Sequence, residues 1–204
     1  MIERVISDLL VGGTNLLSGA TIRWVGCEPA TRQRIYFANH TSNLDFVAMW
    51  AALPPPIRVL TRPAAAHDYW TINRVRHYVA AKVFNAVLIE RKKVTAHNNP
   101  IDQMLEAIGD MHSLIIFPEG RRNTQPEIGE FKSGLYHLGK KRPDIDLIPV
   151  HIDNLNRILP RGEVLPVPLL SCISFGTPIR VLENEKKTDF LVRAREEVIR
   201  LRHA

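Results

Sequence analysis

The sequence predicts an α/β fold: a single domain with a mixed or largely parallel central sheet flanked by helices, preceded by an N-terminal amphipathic helix. Three observations carry that prediction. From Thr21 onward, apolar runs of strand length alternate with stretches whose apolar residues recur at helical spacing. The chain has 204 residues, of which 45% are hydrophobic, enough for one core and too apolar for general disorder. Runs such as Leu114-Ile115-Ile116-Phe117 are continuously apolar, as buried strands are.

The elements follow in order. Ile2, Val5, Ile6, Leu9, Leu10, Gly13, Leu16 and Leu17 repeat at helical spacing. Such a helix can pack its stripe on the core or lie in a membrane interface, and its polar face is not rich in Lys or Arg. Residues 1–20 are therefore set apart as this helix, and 21–204 as the main domain. Thr21 to Val25 is a candidate edge strand, and residues 34–39 form a buried one. A helix runs from about Leu44 to Leu53 and stops at Pro54-Pro55-Pro56. Ile57 to Thr61 reads as a strand. Residues 66–83 read as a helix, with Trp70, Ile72, Val75, Tyr78 and Val79 on or near one face. Phe84 to Ile89 is a strand that ends in Glu90-Arg91-Lys92-Lys93.

Pro100 opens the next helix, with Met104, Leu105 and Ile108 apolar. The strand Leu114–Phe117 runs into Pro118-Glu119-Gly120-Arg121-Arg122-Asn123. A helix covers about Gly134 to Lys141, and Leu147 to His151 is a strand containing Pro149. A proline inside a central strand needs an edge, bulge or bend to accommodate it. Leu159 to Pro168 is an ordered, proline-rich loop, and Ser171 to Phe175 is the last strand. Thr188 caps a final helix bearing Leu191, Ala194, Val198 and Leu201.

Composition narrows the function classes. The net charge is +6, which suits anionic lipid headgroups, phosphorylated small molecules or nucleic acid. No helix-turn-helix, aromatic RNA-binding motif or arginine tail is present, so nucleic acid is not an expected partner. Cys27 and Cys172 are far apart, and the histidines form no HxxxH or HxH pattern, so neither a disulfide framework nor a structural zinc is expected. No stretch is apolar enough to span a bilayer. Glu3 and Asp8 interrupt the basic-then-apolar order of a signal peptide.

The chemistry gathers at strand ends. His40 ends one strand, and Asp45 stands across a strand-to-helix turn from it, so the two can reach hydrogen-bond distance. That pair suits a general base and its orienting carboxylate. The rival reading is structural, because Ser42-x-x-Asp45 also fits a capping box. Gly120 lets backbone approach a ligand, and the neighbouring arginines match the geometry of a phosphate. Arg91 adds a cation at the end of another strand, in a run that could be an ordinary charged turn, and Lys132 adds one after the Pro118–Asn123 motif.

Taken in order, these blocks resemble the glycerolipid acyltransferase family, whose best-known members are 1-acylglycerol-3-phosphate acyltransferases. Asn39-His40-Thr41-Ser42-Asn43-Leu44-Asp45 matches its NHxSxxD block, and Ala86 to Arg91 its arginine-ended block. Phe117 to Asn123 matches FPEGTRS, and Leu147 to His151 the block centred on proline. Two blocks depart from the family. Arg121 and Asn123 replace the threonine and serine of FPEGTRS, and Ala86 and Leu88 replace a glycine and a phenylalanine.

The resemblance implies acyl transfer from an acyl thioester, acyl-CoA or acyl-carrier protein, to a lysophospholipid hydroxyl, with 1-acylglycerol-3-phosphate the foremost acceptor. His40 would be the base and Asp45 its orienter. Arg91, Arg122 and Lys132 would hold the acceptor phosphate. Gly120 would be a candidate oxyanion donor, and Glu119 would order the substrate-binding turn. No cofactor is implied. The partners would be the two substrates, acyl-carrier protein among the donors, and a membrane surface, with the protein peripheral on the cytoplasmic inner face. Another lysolipid acceptor, a thioesterase or lipid hydrolase using the same His, and a non-enzymatic module for anionic surfaces remain the rivals.

Overall fold

A computed structural model describes residues 2–42, 44–90, 98–123, 125, 127–153 and 171–202. Its centre is a seven-stranded sheet of β1 (Thr21–Trp24), β2 (Arg34–Ala38), β3 (Thr61–Ala66), β4 (Val87–Ile89), β5 (Ser113–Ile116), β6 (Asp146–Asp153) and β7 (Cys172–Phe175). The spatial order is β1-β7-β6-β2-β5-β3-β4. The five strands from β6 to β4 are mutually parallel. β7 runs antiparallel to β6, and β1 parallel to β7, so the sheet is mixed as predicted.

The period-two alternation of side chains explains the two cores. In β2, Tyr36 and Ala38 face a cluster with Met49, Trp50, Leu53, Ile148 and Phe175. Ile35 and Phe37 face the other side, with Ile108, Leu114, Leu135, Phe190 and Val198. α1 (Ile2–Ser18) and α2 (Asp45–Ala52) cover the first face; α6 (Pro100–Ile108), α7 (Gly134–Lys141) and the last helix, α8 (Lys187–Arg200), cover the second. Both faces are dry, so β2 and β5 are buried along their whole length. α1 sets Leu10 and Val11 against the core and leaves Val5 and Leu9 exposed.

The region between α2 and β4 departs from the sequence reading. Ile57 to Thr61 is not a strand. Pro55 sits at the first position of the short α3 (Pro55–Arg58), where its fixed φ favours a helical turn. Arg58 then donates to the Ala51 and Leu53 carbonyls and closes the end of α2. The strand begins only at Thr61 and runs through three alanines of weak β propensity, held by pairing with β5 and β4 on its two sides.

The helix expected over 66–83 is broken into α4 (His67–Trp70), α5 (Arg74–Tyr78) and a π-helical turn, Val79–Val83. Asn73 restarts it by accepting from the Arg76 amide at 2.8 Å. The break rotates the apolar face outward. Trp70 packs edge-to-face on Phe46, whereas Ile72 and Val75 are 65% and 73% exposed.

Two further expectations change. Thr188 lies inside α8 and bonds Asp189; the capping position is Lys186, without a side-chain cap. Pro149 is in the interior strand β6, yet its carbonyl accepts from Gly176, just beyond the end of β7. A residue's N–H and C=O point the same way in a strand, so the missing donor falls where the neighbouring strand has already ended. The proline-rich stretch Leu159–Pro168 lies outside the described residues.

The parallel strands β2, β3, β4 and β5 end at one edge of the sheet, which makes that edge the natural place for a ligand.

Candidate active site

β2 delivers His40 to that edge, and α2 begins five residues later with Asp45 in its first turn. His40 Nδ1 and Asp45 Oδ2 are 2.9 Å apart. The same oxygen accepts from the Thr41 and Ser42 amides at 2.6 and 2.8 Å. The acid thus reaches back to the turn as a capping-box residue does, while Ser42 Oγ accepts from the Leu44 amide. The capping box is only half made: α2 begins at Asp45, its capping position is Leu44 without a side-chain cap, and Ser42 Oγ does not take the Asp45 amide.

The Asp45 side chain is 0% exposed. A carboxylate oxygen only accepts, so Nδ1 is the donor of the His40–Asp45 bond. In the neutral ring this leaves Nε2 with its lone pair free. His40 lines the cleft, and its ring stacks on Phe117 with centroids 4.3 Å apart. The strand ends of β2 and β5 therefore meet as two stacked rings, which fixes the plane of the imidazole.

The backbone of His40 is held on both sides. Its N–H donates to Glu119 Oε1 at 2.9 Å, and its carbonyl accepts from the Asn123 amide at 2.7 Å. Glu119 is 5% exposed and uses its other oxygen on the Gly129 amide at 2.9 Å. It does not line the cleft. Asn123, where the resembling family has serine, also accepts from Gln125 N and donates to the Glu127 carbonyl.

Gly120 suits its place by its backbone, and a side chain there would also push the Lys132 end aside. Its φ is +70°, a region that favours glycine, and a Cβ there would stand 2.8 Å from Lys132 Nζ. Its amide closes the turn on the Phe117 carbonyl at 2.9 Å. The N–H expected as an oxyanion donor is engaged within that turn. Lys132 lies over the glycine and reaches the cleft beside Arg121 and Arg122. Arg91 lies outside the described residues.

The cleft encloses about 790 Å³. Its lining combines the cations Arg121, Arg122 and Lys132 and the polar Asn123 and Gln125 with apolar Phe46, Trp70, Met104, Leu135, Leu138 and the Ala64–Ala66 strand end. Three small side chains at a strand end leave room where larger ones would fill it. The run Ala64-Ala65-Ala66 was the signal available for this wall, and its low strand propensity hid it. Among the described residues, no three His, Cys, Asp or Glu side chains converge as metal ligands. The arrangement combines a held imidazole with cationic and apolar lining, which together suit proton abstraction from an amphiphile with an anionic head.

A family model described as Acyltransferase matches residues 22–153. The chain belongs to that family. A 1-acyl-sn-glycerol-3-phosphate acyltransferase of Limnanthes douglasii is 27% identical over 165 residues, 78% of this chain and 56% of its own length. A protein named Taffazin from Dictyostelium discoideum is 28% identical over 165 residues, 75% of this chain and 55% of its own. A probable 1-acyl-sn-glycerol-3-phosphate acyltransferase of Mycoplasma pneumoniae is 31% identical over 102 residues, covering 48% of this chain and 36% of its own length. The chain thus spans about half the length of the first of these relatives. The crystal structure of the LPA acyltransferase PlsC from Thermotoga maritima superposes with a TM-score of 0.75 at 18% identity, over 99% of this chain and 79% of the other. The fold of this acyltransferase-family chain is therefore that of PlsC.

Proposed function

We propose that this protein transfers a fatty acyl group from an acyl thioester to the free hydroxyl of a lysophospholipid, with 1-acylglycerol-3-phosphate as acceptor. The observation that carries the reading is the 2.9 Å His40–Asp45 bond in a cleft whose lining includes both cations and apolar side chains. The names of the Limnanthes and Mycoplasma relatives support the acceptor.

In this reading His40 Nε2 takes the proton of the acceptor hydroxyl as the oxygen attacks the thioester carbonyl. Asp45 holds the tautomer and stabilises the imidazolium that forms. The tetrahedral intermediate collapses, the C–S bond breaks, and the imidazolium returns its proton to the leaving thiolate. Arg122 and Lys132 hold the acceptor phosphate. The apolar lining takes an acyl chain. A general base supplies roughly 10²–10⁴-fold, and positioning of the two substrates supplies much of the rest.

Both substrates are amphiphiles, so the cleft must open towards a lipid surface. Leu9 on α1, Ile72 just before α5 and Val75 on α5 are exposed apolar side chains, and Arg74, Arg76 and His77 of α5 are exposed too. This suits peripheral docking on an anionic leaflet. No helix among the described residues is long and apolar enough to cross a membrane.

The test is an assay of the purified protein with acyl-CoA and with acyl-carrier-protein donors against a panel of lysolipids, scored by product. Phosphatidate formation that disappears in His40→Ala, with an unchanged melting temperature, is expected. Near-normal turnover by His40→Ala refutes the mechanism, and release of free fatty acid regardless of acceptor refutes transfer.

A further inference from the structure

Arg195 stands on α8, outside the 22–153 segment that the family model matches. Its guanidinium donates twice to one acceptor, the Ile128 carbonyl, from Nε at 2.9 Å and Nη2 at 2.6 Å. That carbonyl and the Gly129 N–H are the two ends of a single peptide group. The Gly129 N–H donates to Glu119 Oε2, and Glu119 Oε1 accepts from the His40 N–H. A continuous chain of charge-assisted bonds therefore runs from α8 to the backbone of His40. A full charge on the carbonyl polarises its own peptide and strengthens the amide donor at the other end.

The chain has no slack at Gly129. A Cβ there would stand 2.7 Å from Glu119 Oε2, so the carboxylate packs directly on the backbone. Among the described residues Glu119 makes no ion pair, and its place depends on the two amides it accepts from. Arg193, two residues earlier on α8, offers a contrast: it forms a two-point pair with Glu185 and donates to the Arg180 carbonyl, groups outside the Glu119–His40 chain.

We infer that Arg195 is a positioning residue for His40, acting through the Ile128–Gly129 peptide and Glu119. The inference rests on His40 being the base of the proposed acyl transfer. Without Arg195 the Ile128–Gly129 peptide loses its anchor on α8. The Gly129 donor then drifts, Glu119 follows it, and His40 shifts against the acceptor hydroxyl.

The experiment pairs kinetics with an NMR measurement that needs no substrate. Arg195→Ala should lower kcat roughly tenfold with both KM values within about twofold, inside the ~10²-fold that a ~1 Å misplacement can cost. Arg195→Lys, which keeps the stem and one donor, should recover part of that loss and serves if the alanine variant does not fold. Arg193→Ala should lower the melting temperature and leave kcat unchanged. In a Glu119→Gln background, Arg195→Ala should add little, whereas a merely structural arginine would give independent, additive losses. In the substrate-free protein the His40 amide proton should move upfield and exchange faster in Arg195→Ala. Additive losses, or an unmoved His40 amide, overturn the proposal. Inactivity of the unmodified protein would count against the proposed function instead, and the amide measurement would still decide the role of Arg195.

Discussion

Replacing Asp45 by asparagine is the sharpest perturbation of the His40 pair, because it changes charge with almost no change in shape. Oδ2 receives three donors, His40 Nδ1 and the Thr41 and Ser42 amides. If the asparagine oxygen takes that place, the donors stay satisfied but the imidazolium loses its counter-charge. If the amide nitrogen takes it, two backbone N–H groups face a donor and Nδ1 must accept. The neutral ring then carries its proton on Nε2 and cannot act as the base. Unit charges at the observed 2.9 Å attract by about 6 kcal/mol at an effective dielectric constant of ~20. At about 1.36 kcal/mol per decade that is roughly 10⁴ in rate, the same order as the ~10⁴ cost of the wrong tautomer in a serine-protease triad. Some screening enters through the 21% exposure of the His40 side chain. The expected fall in kcat is therefore about 10³–10⁴-fold, with both KM values little changed. The assay is steady-state acyl transfer at saturating donor and acceptor, alongside ¹⁵N NMR of the His40 ring to read its tautomer. A variant that keeps more than a tenth of kcat would refute the reasoning that Asp45 works through charge and tautomer.

Three further outcomes are expected. Arg122→Ala should raise the acceptor KM well above any change in the donor KM, because the guanidinium lines the cleft; equal changes in both would count against phosphate binding. Gly120→Ala should destabilise the fold by at least ~1–2 kcal/mol from the positive φ alone, read as a lower denaturation midpoint, with Lys132 displaced as well. Glu185 is held below its ordinary value of 4.5, first by the hydrogen bond from Arg193. Its contribution to stability is complete above 4.5 and is lost as pH falls through the lowered folded value. Glu185→Gln should therefore flatten the acid limb of a stability–pH curve, and an unchanged limb would remove this pair from the acid response.

Much of the molecule was legible in the residues themselves. Strands such as Leu114–Ile116 are continuously apolar because both faces of the sheet are covered, so local composition reports their burial directly. Pro100 and Pro54 mark helix boundaries because a missing N–H and a fixed φ act at their own position. His40 and Asp45 were legible as a pair because only five positions separate them across one turn.

Other features were settled by neighbours distant in the chain. Thr61–Ala66 is a strand because β4 and β5 pair with it, and its own residues favour other conformations. The break at Thr71–Asn73 turns Ile72 and Val75 to solvent, and helical spacing carries no sign of which way a stripe will face. Spacing likewise held no trace of Glu119 bonding the His40 backbone or of the Phe117 ring lying on the imidazole. Both contacts exist because β2 and β5 are adjacent in the sheet although nearly 80 residues part them. The sequence determined the His40–Asp45 pair and the strands that carry it. Tertiary structure alone decided what holds that pair still, because pairing between distant strands, and not local preference, brings the supporting groups within reach.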